Sequence, residues 1–264
     1  MRKSKNSANT KIQREDTLLS NKMSFDTVES YKALRTNLGF ALHKSEGCKK
    51  LTITSSFAGE GKSTTSVNTA IGFAQTGAKV IIIDCDLRKP HTHTFFKLKN
   101  KLGLSNYIEG TASQEDIVLE TTEPNLSLIT AGSIPPNPSE LLSSDRFVKL
   151  VDALTSKYDY IVFDTPPVNV VSDALSVAPH SDGVVIVVRQ NITTHPELSS
   201  AVEAFEFAGI KILGFVFNSV DNNVSSVYHS RYYKHYGYKR YGKYGYYRRS
   251  YGYNKDHKKS ESSK

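Results

Sequence analysis

The sequence predicts an α/β fold: a doubly wound, mainly parallel sheet flanked by helices. Three observations lead there. Short β-branched runs alternate with helical stretches between about residues 51 and 217. These runs are too apolar for strands with one wet face, so helices must cover both sides. A small-residue turn, Ser56-Phe57-Ala58-Gly59-Glu60-Gly61-Lys62-Ser63-Thr64, joins the first such strand to a helix.

The 264 residues fit one core domain with appended tails, and the modest apolar content of 38% reflects polar ends. No stretch reaches the roughly 18 to 20 apolar residues of a membrane-spanning helix, and Met1-Arg2-Lys3-Ser4 opens no signal-peptide core. Two cysteines, Cys48 and Cys85, are too few for a disulfide framework and fit a reducing cytoplasm. The formal charge of +8 is unevenly placed. Residues 225–264 hold 11 Lys or Arg against Asp256 and Glu261, a net of +9, which leaves −1 for the rest. The basic balance therefore belongs to a tail and says nothing of a basic face on the core.

Residues 1–23 are polar and read as a flexible arm. From Ser24 or Asp26 as N-cap, Val28, Tyr31, Leu34, Leu38 and Leu42 have helical spacing, with Glu29, Lys32 and Arg35 on the other face. Strands follow at Leu51–Thr54, Val80–Ile83, Leu126–Thr130, Tyr160–Phe163, Val184–Val188 and Ile212–Phe217, with helices at Ser63–Gln75 and Glu197–Ala208. Weaker helices are expected at Ser105–Glu109, Gln114–Leu119, Asp145–Ser156 and Asp173–Ala178. The proline-rich run Ile134–Glu140 reads as a surface loop, because each proline removes a backbone donor. The core domain thus covers 24–224. From Ser225 on, Tyr, Gly, Lys, Arg and Ser dominate, no core can be built, and the segment 225–264 is expected to be disordered.

The turn at 56–64 fits the Walker A pattern G-x-x-x-x-G-K-[ST], with Ser56 in place of the first glycine. Small residues let successive N–H groups curl round phosphate oxygens, Lys62 reaches the β and γ phosphates, and Ser63 offers a hydroxyl to Mg²⁺. The apolar strand Val80–Ile83 runs into Asp84-Cys85-Asp86-Leu87-Arg88-Lys89-Pro90, and a carboxylate at the C-terminal end of a parallel strand projects into the ligand crevice. If the strand continues, Asp84 and Asp86 share one side. Tyr160–Phe163 ends on Asp164 in the Walker B manner, for the Mg²⁺ shell. Together the three motifs are far more specific for a Mg²⁺-assisted phosphate site than any one of them.

These motifs, with Pro135-Pro136-Asn137-Pro138 and the tyrosine-rich end, resemble the bacterial protein-tyrosine kinases of capsule and exopolysaccharide systems, CpsD/CapB type. The resemblance covers roughly Ser24 to the C-terminus. It implies a P-loop NTPase fold and a cytoplasmic ATP-dependent kinase that phosphorylates tyrosines in its own tail and on sugar-pathway enzymes. It also implies recruitment to the inner face of the membrane by a transmembrane activator of the polysaccharide co-polymerase type, and a cognate tyrosine phosphatase.

Eleven of the 15 tyrosines lie in the tail: Tyr228, Tyr232, Tyr233, Tyr236, Tyr238, Tyr241, Tyr244, Tyr246, Tyr247, Tyr251 and Tyr253. A phenol with a pKa near 10 needs a base for phosphoryl transfer. Asp84 is the choice by position and by resemblance, Asp86 being the alternative. Asp86 and Asp164 would hold the metal shell, and the resemblance implies that Asn218 meets the adenine edge. A short tail folds back on its own sheet with difficulty, so phosphorylation between subunits of a homo-oligomeric ring is expected. In that ring the helix within 24–44 supplies Glu29-x-x-Lys32-x-x-Arg35, which resembles the family's E-x-x-R-x-x-R contact with Lys32 in the middle Arg position. About five phosphotyrosines would cancel the tail's charge and loosen the ring.

Two other readings compete. A ParA/MinD-type ATPase switch shares the fold, but its signature lysine position holds Phe57 here. A Tyr/Lys/Arg tail also suits single-stranded nucleic acid or an anionic membrane; beside this P-loop, no nucleic acid is expected. His91 and His93 lack a companion ligand set, Cys85 reads as a small buried filler, and Arg88 and Arg189 could contact either phosphate or a neighbouring subunit.

Overall fold

A computed structural model describes residues 18–20, 23–43 and 45–220. The arm to residue 17 and the tyrosine-rich tail lie outside them. The chain opens with α1 (Phe25–Ala41), whose N-cap is Ser24: its side chain accepts the Thr27 N–H. There follow β1 (Lys49–Ser55), α2 (Lys62–Ala74), β2 (Val80–Asp84), α3 (Thr92–Phe95), α4 (Leu104–Glu109), α5 (Gln114–Ile117), β3 (Val118–Glu120) and β4 (Leu126–Ile129). The second half adds α6 (Pro138–Leu142), α7 (Asp145–Thr155), β5 (Tyr160–Asp164), α8 (Asp173–Val177) with a 3₁₀ turn at Ala178–His180, β6 (Val184–Arg189), α9 (His195–Phe207) and β7 (Ile212–Asn218).

The strands form one sheet in the order β3-β4-β2-β5-β1-β6-β7, parallel except for β3 against β4. Both faces are covered, as the apolar runs require. Val80 and Ile82 pack with Val67 and Ile71 of α2, whereas Ile81 and Ile83 pack with Phe147 and Leu150 of α7. A third cluster seats Ala201 and Phe205 of α9 over Ile186 and Val188 of β6.

Four expectations need correction. Residues 118 and 119 belong to the edge strand β3, not to a helix; its antiparallel pairing with β4 overrides the helical reading. The proline-rich loop ends early, because Pro138 occupies the first turn of α6, where its missing N–H is no loss. The flexible arm does not extend to Leu19, which is 4% exposed, donates its N–H to Asn68 Oδ1 at 2.7 Å and packs on α2. Arg35 is not on the outer face of α1: it is half-buried and donates to the Gly72 carbonyl of α2 at 3.1 Å. Glu29 and Lys32 are exposed and paired with each other at 2.8 Å.

Candidate active site

The loop after β1 turns into α2 at Gly61, which has φ +97° and caps the helix. A side chain there would be strained and would also collide with the Asn218 amide, since a Cβ would lie 2.0 Å from Nδ2. Glu60 is turned inward, 1% exposed, and shapes the loop from behind. Its Oε2 accepts the N–H groups of Ser56 at 2.8 Å and Phe57 at 3.2 Å, and its Oε1 accepts the Thr193 hydroxyl. The ends of β6 and β7 hold the loop from outside. Arg189 donates to the Gly59 carbonyl at 2.8 Å and Asn218 to the Glu60 carbonyl at 2.9 Å. Ala58, Gly59 and Thr64 stay open to solvent at least in part.

The acidic residues reach this loop through the sheet. β5 lies between β1 and β2, with Asp164 in register with Ile53 on one side and Asp84 on the other. Alternation along each strand then decides the face. Val80 and Ile82 point to α2, so Asp84 does too; Val162 points to α2, so Asp164 follows. Asp164 Oδ1 accepts the Ser66 hydroxyl at 3.0 Å and Oδ2 the Thr92 hydroxyl at 3.2 Å.

The strand does not continue to Asp86, contrary to the condition on which the shared side of Asp84 and Asp86 rests. β2 stops at Asp84, and a turn closes on the Asp84 carboxylate: Oδ1 accepts the Asp86 N–H at 3.2 Å, and Oδ2 accepts those of His91 at 3.2 Å and Thr92 at 3.1 Å. Asp86 is placed by that turn and faces Lys62, whose Nζ lies 2.9 Å from its Oδ2, 3.2 Å from Ser63 Oγ and 3.8 Å from Asp164 Oδ1.

The electrostatics follow from burial and proximity. Asp84 is fully buried beside Asp164, and its carboxyl is pushed up to about 7, by desolvation first and the Asp164 charge second. Burial opposes the charge on Lys62, but Asp164 and Asp86 outweigh it and hold the ammonium above its ordinary value. Burial also pushes up the Cys85 thiol, as a buried filler requires.

Sequence reasoning missed Ser66, Thr92, Thr193 and Asp173. Ser66 had a signal, one turn beyond Lys62 on the same helical face. Thr193 lies in a loop, and Thr92 and Asp173 open α3 and α8; folding and not a local motif brings them there. Arg88 and Arg189 are now placed, on Asp173 and on the P-loop respectively.

The donors fit a magnesium nucleotide. Among the described residues no three or more His, Cys, Asp or Glu side chains gather to cage a metal. Mg²⁺ needs no such cage, because it shares its shell between one or two carboxylates and substrate phosphates. Ser63, Asp86 and Asp164 converge where an ammonium is already drawn in.

Residues 48–206 match the AAA domain family designated AAA_31. The tyrosine-protein kinase YwqD of Bacillus subtilis (strain 168) is 42% identical over 190 residues, which cover 72% of this chain and 80% of YwqD. The chain belongs to the bacterial tyrosine kinases. The tyrosine-protein kinase CpsD of Streptococcus agalactiae is 39% identical over 201 residues, 76% of this kinase and 86% of CpsD. Among solved structures, the chimerical protein CapA2B2 superposes on the kinase with a TM-score of 0.71 at 37% identity, covering 74% of this chain and 85% of that one. The kinase domain of Escherichia coli tyrosine kinase ETK gives 0.69 at 35%, with 74% and 77% covered. The septum site-determining protein MinD of Pyrococcus horikoshii, complexed with Mg-ADP, gives 0.56 at 22% identity over 64% of this kinase and 70% of MinD, a likeness of fold alone. Among the described residues no helix is long and apolar enough to cross a membrane.

Proposed function

We propose that this tyrosine kinase transfers the γ-phosphoryl group of Mg-ATP to tyrosines of the 228–253 cluster on a neighbouring copy, and thereby regulates capsule or exopolysaccharide synthesis. The observation that carries the chemistry is the convergence of Lys62, Ser63, Asp86 and Asp164 within a few ångströms at the mouth of the P-loop.

The residues divide the work. N–H groups of the loop from Ala58 to Thr64 cradle the phosphates while Glu60 holds those of Ser56 and Phe57, and Lys62 leaves Asp86 to neutralise charge on the β and γ oxygens. Ser63, Asp86 and Asp164 would hold Mg²⁺, which when bound would neutralise the charge that spreads over the transferring group. Asp84 accepts the phenolic proton as the tyrosine oxygen bonds to the γ-phosphorus; the bond to the β–γ bridging oxygen breaks, and its electron pair leaves with ADP. The raised carboxyl of Asp84 supports this role, since a base is most effective when its pKa lies near the working pH. Asn218, fixed against Glu60 at the rim, is suited to meet the adenine edge.

Around this chemistry belong a ring contacted through the exposed Glu29 and Lys32 of α1, which Arg35 braces against α2, a membrane-bound activator of the co-polymerase type, a cognate phosphatase and sugar-pathway enzymes as further substrates. The +9 charge of residues 225–264 supports a reversible association with the acidic crevice, which about five phosphotyrosines would cancel.

The test is purified full-length protein with Mg-ATP, with and without an activator peptide, analysed by phosphotyrosine mass spectrometry. Phosphotyrosine beyond Val227 in wild type, absent from Lys62→Met, is the expected result. ATP consumption by the activated enzyme with every tail tyrosine unmodified refutes the reading. Asp84→Asn and Asp86→Asn, compared for pH–rate profile and Mg²⁺ dependence, assign the base: its loss removes the acidic limb, whereas loss of a metal-shell carboxylate raises the Mg²⁺ requirement.

A further inference from the structure

Two buried carboxylates organise the loops at the C-terminal edge of the sheet, one on each side of the crevice. The Glu60 carboxylate ties the P-loop after β1 to Thr193 after β6, on the side proposed to take the phosphates. Asp173, the first residue of α8 and fully buried, serves the three neighbouring strands β4, β2 and β5.

The Asp173 carboxylate ties together the segments that follow those three strands. Arg88, from the turn after β2, grips it with both arms of its fork: Nε donates to Oδ2 at 2.9 Å and Nη2 to Oδ1 at 3.1 Å. Ser139, which follows Pro135-Pro136-Asn137-Pro138 beyond β4, donates its hydroxyl to Oδ1. Asp173 itself closes the loop beyond β5. The tie does not hold the phosphate site directly: Asp86 is met by Lys62, and Asp164 by Ser66 and Thr92, none of them through the Asp173 carboxylate.

Three exposed groups stand on the loops so held. Ile134 is 67% exposed and Val170 57%, and the Arg88 side chain is 41% exposed although its charge is paired. A guanidinium fixed flat by a bidentate carboxylate is preorganised to stack on an aromatic face, and an aryl ring with a polar tip suits an aliphatic bed that leads to a charged centre.

We propose that Arg88, Ile134 and Val170 form the subsite for the ring of the acceptor tyrosine, with Asp173 as the residue that positions it. The inference rests on the tyrosine-transfer reading above and names where that reading's second substrate binds.

The experiment uses the full-length Lys62→Met protein, tail intact, as acceptor for full-length enzyme variants, with phosphorylation of the acceptor followed by mass spectrometry. For Ile134→Ser combined with Val170→Ser, both exposed positions, the acceptor KM rises about tenfold while the KM for ATP, the binding of a fluorescent ATP analogue and the melting temperature stay as in wild type. Asp173→Asn and Arg88→Ala give the same split, and Arg88→Lys, which keeps the charge and loses the fork, falls between. An unchanged acceptor KM in the Ile134/Val170 double variant overturns the subsite, as does a parallel rise in the KM for ATP. A wild-type enzyme that leaves the acceptor's tyrosines unmodified instead refutes the reading on which the subsite rests.

Discussion

The Lys62 ammonium rests 2.9 Å from the Asp86 carboxylate, so the cation proposed to meet phosphate is held by a carboxylate proposed for the metal shell. Both side chains are largely shielded from water, at 13% and 8% exposure, which keeps their attraction from being screened. On the proposed reading, nucleotide entry exchanges one ionic partner for another and does not place a charge in an empty cavity.

Replacing Lys62 with Met removes the counter-charge from Asp86 and Asp164 together. Phosphotyrosine formation is expected to fall by at least about 10² to 10³-fold, the usual cost of losing one preorganised transition-state donor. The metal-free variant should also melt below wild type and gain more from added Mg²⁺, because a free cation then fills the acidic field. Equal shifts with Mg²⁺ in both proteins would contradict that account.

Asp84 gives the metal-free protein a pH dependence of definite sign. Its carboxyl titrates near 3.9 in the unfolded chain and is raised to about 7 in the fold, by burial and then by Asp164. The folded state thus binds the extra proton between those values, and stability falls as pH rises from about 4 to about 7, at roughly 1.4 kcal/mol per unit at most. Denaturant titrations across this window should show the decline in wild type and a flatter profile in Asp84→Asn, which cannot ionise. A parallel decline in both would remove Asp84 as its cause.

Gly61→Ala meets two separate obstacles. A left-handed backbone costs a side-chain-bearing residue about 1 to 2 kcal/mol, and the new methyl collides with Asn218 Nδ2. Nucleotide affinity should fall at least about tenfold in Gly61→Ala. Adding Asn218→Ala should restore only part of it, because φ stays positive. Full recovery in the double variant, measured by calorimetric titration, would show that the collision alone mattered.

Glu60→Ala strips the P-loop of its internal brace. The N–H groups of Ser56 and Phe57 lose their acceptor behind the loop, and a buried unmet donor costs about 1 to 3 kcal/mol. ATP affinity should drop by about ten- to a hundredfold. Thr193→Val, which removes one hydroxyl from the same carboxylate, should have a smaller effect of the same kind. A Thr193→Val protein weaker than Glu60→Ala would refute the order of dependence.

Much of this was legible before any coordinates. The strand runs at Val80, Tyr160 and Val184 announce themselves because both faces are buried and no polar alternation blurs them. Asp84 and Asp164 stand out because each ends such a run, and Lys62 because it follows the glycines of the turn that opens α2. The short edge strand at Val118–Glu120 was illegible, since its pairing partner and not its own three residues make it a strand. Leu19 was hidden in a polar segment, and its burial depends on a surface of α2 that no local pattern reveals.

The sequence by itself determined the α/β class, the phosphate loop and the strands that end in carboxylates, because periodicity and turn chemistry act over a few neighbouring residues. Only the tertiary structure decided which carboxylate meets which loop. The insertion of β5 between β1 and β2 sets Asp164 beside Asp84, and the turn closed on Asp84 aims Asp86 at Lys62. Asp173 gathers Arg88 and Ser139 from separate parts of the chain. Such meetings arise from strand order and burial, which packing selects across the whole domain, and no spacing along the chain encodes them.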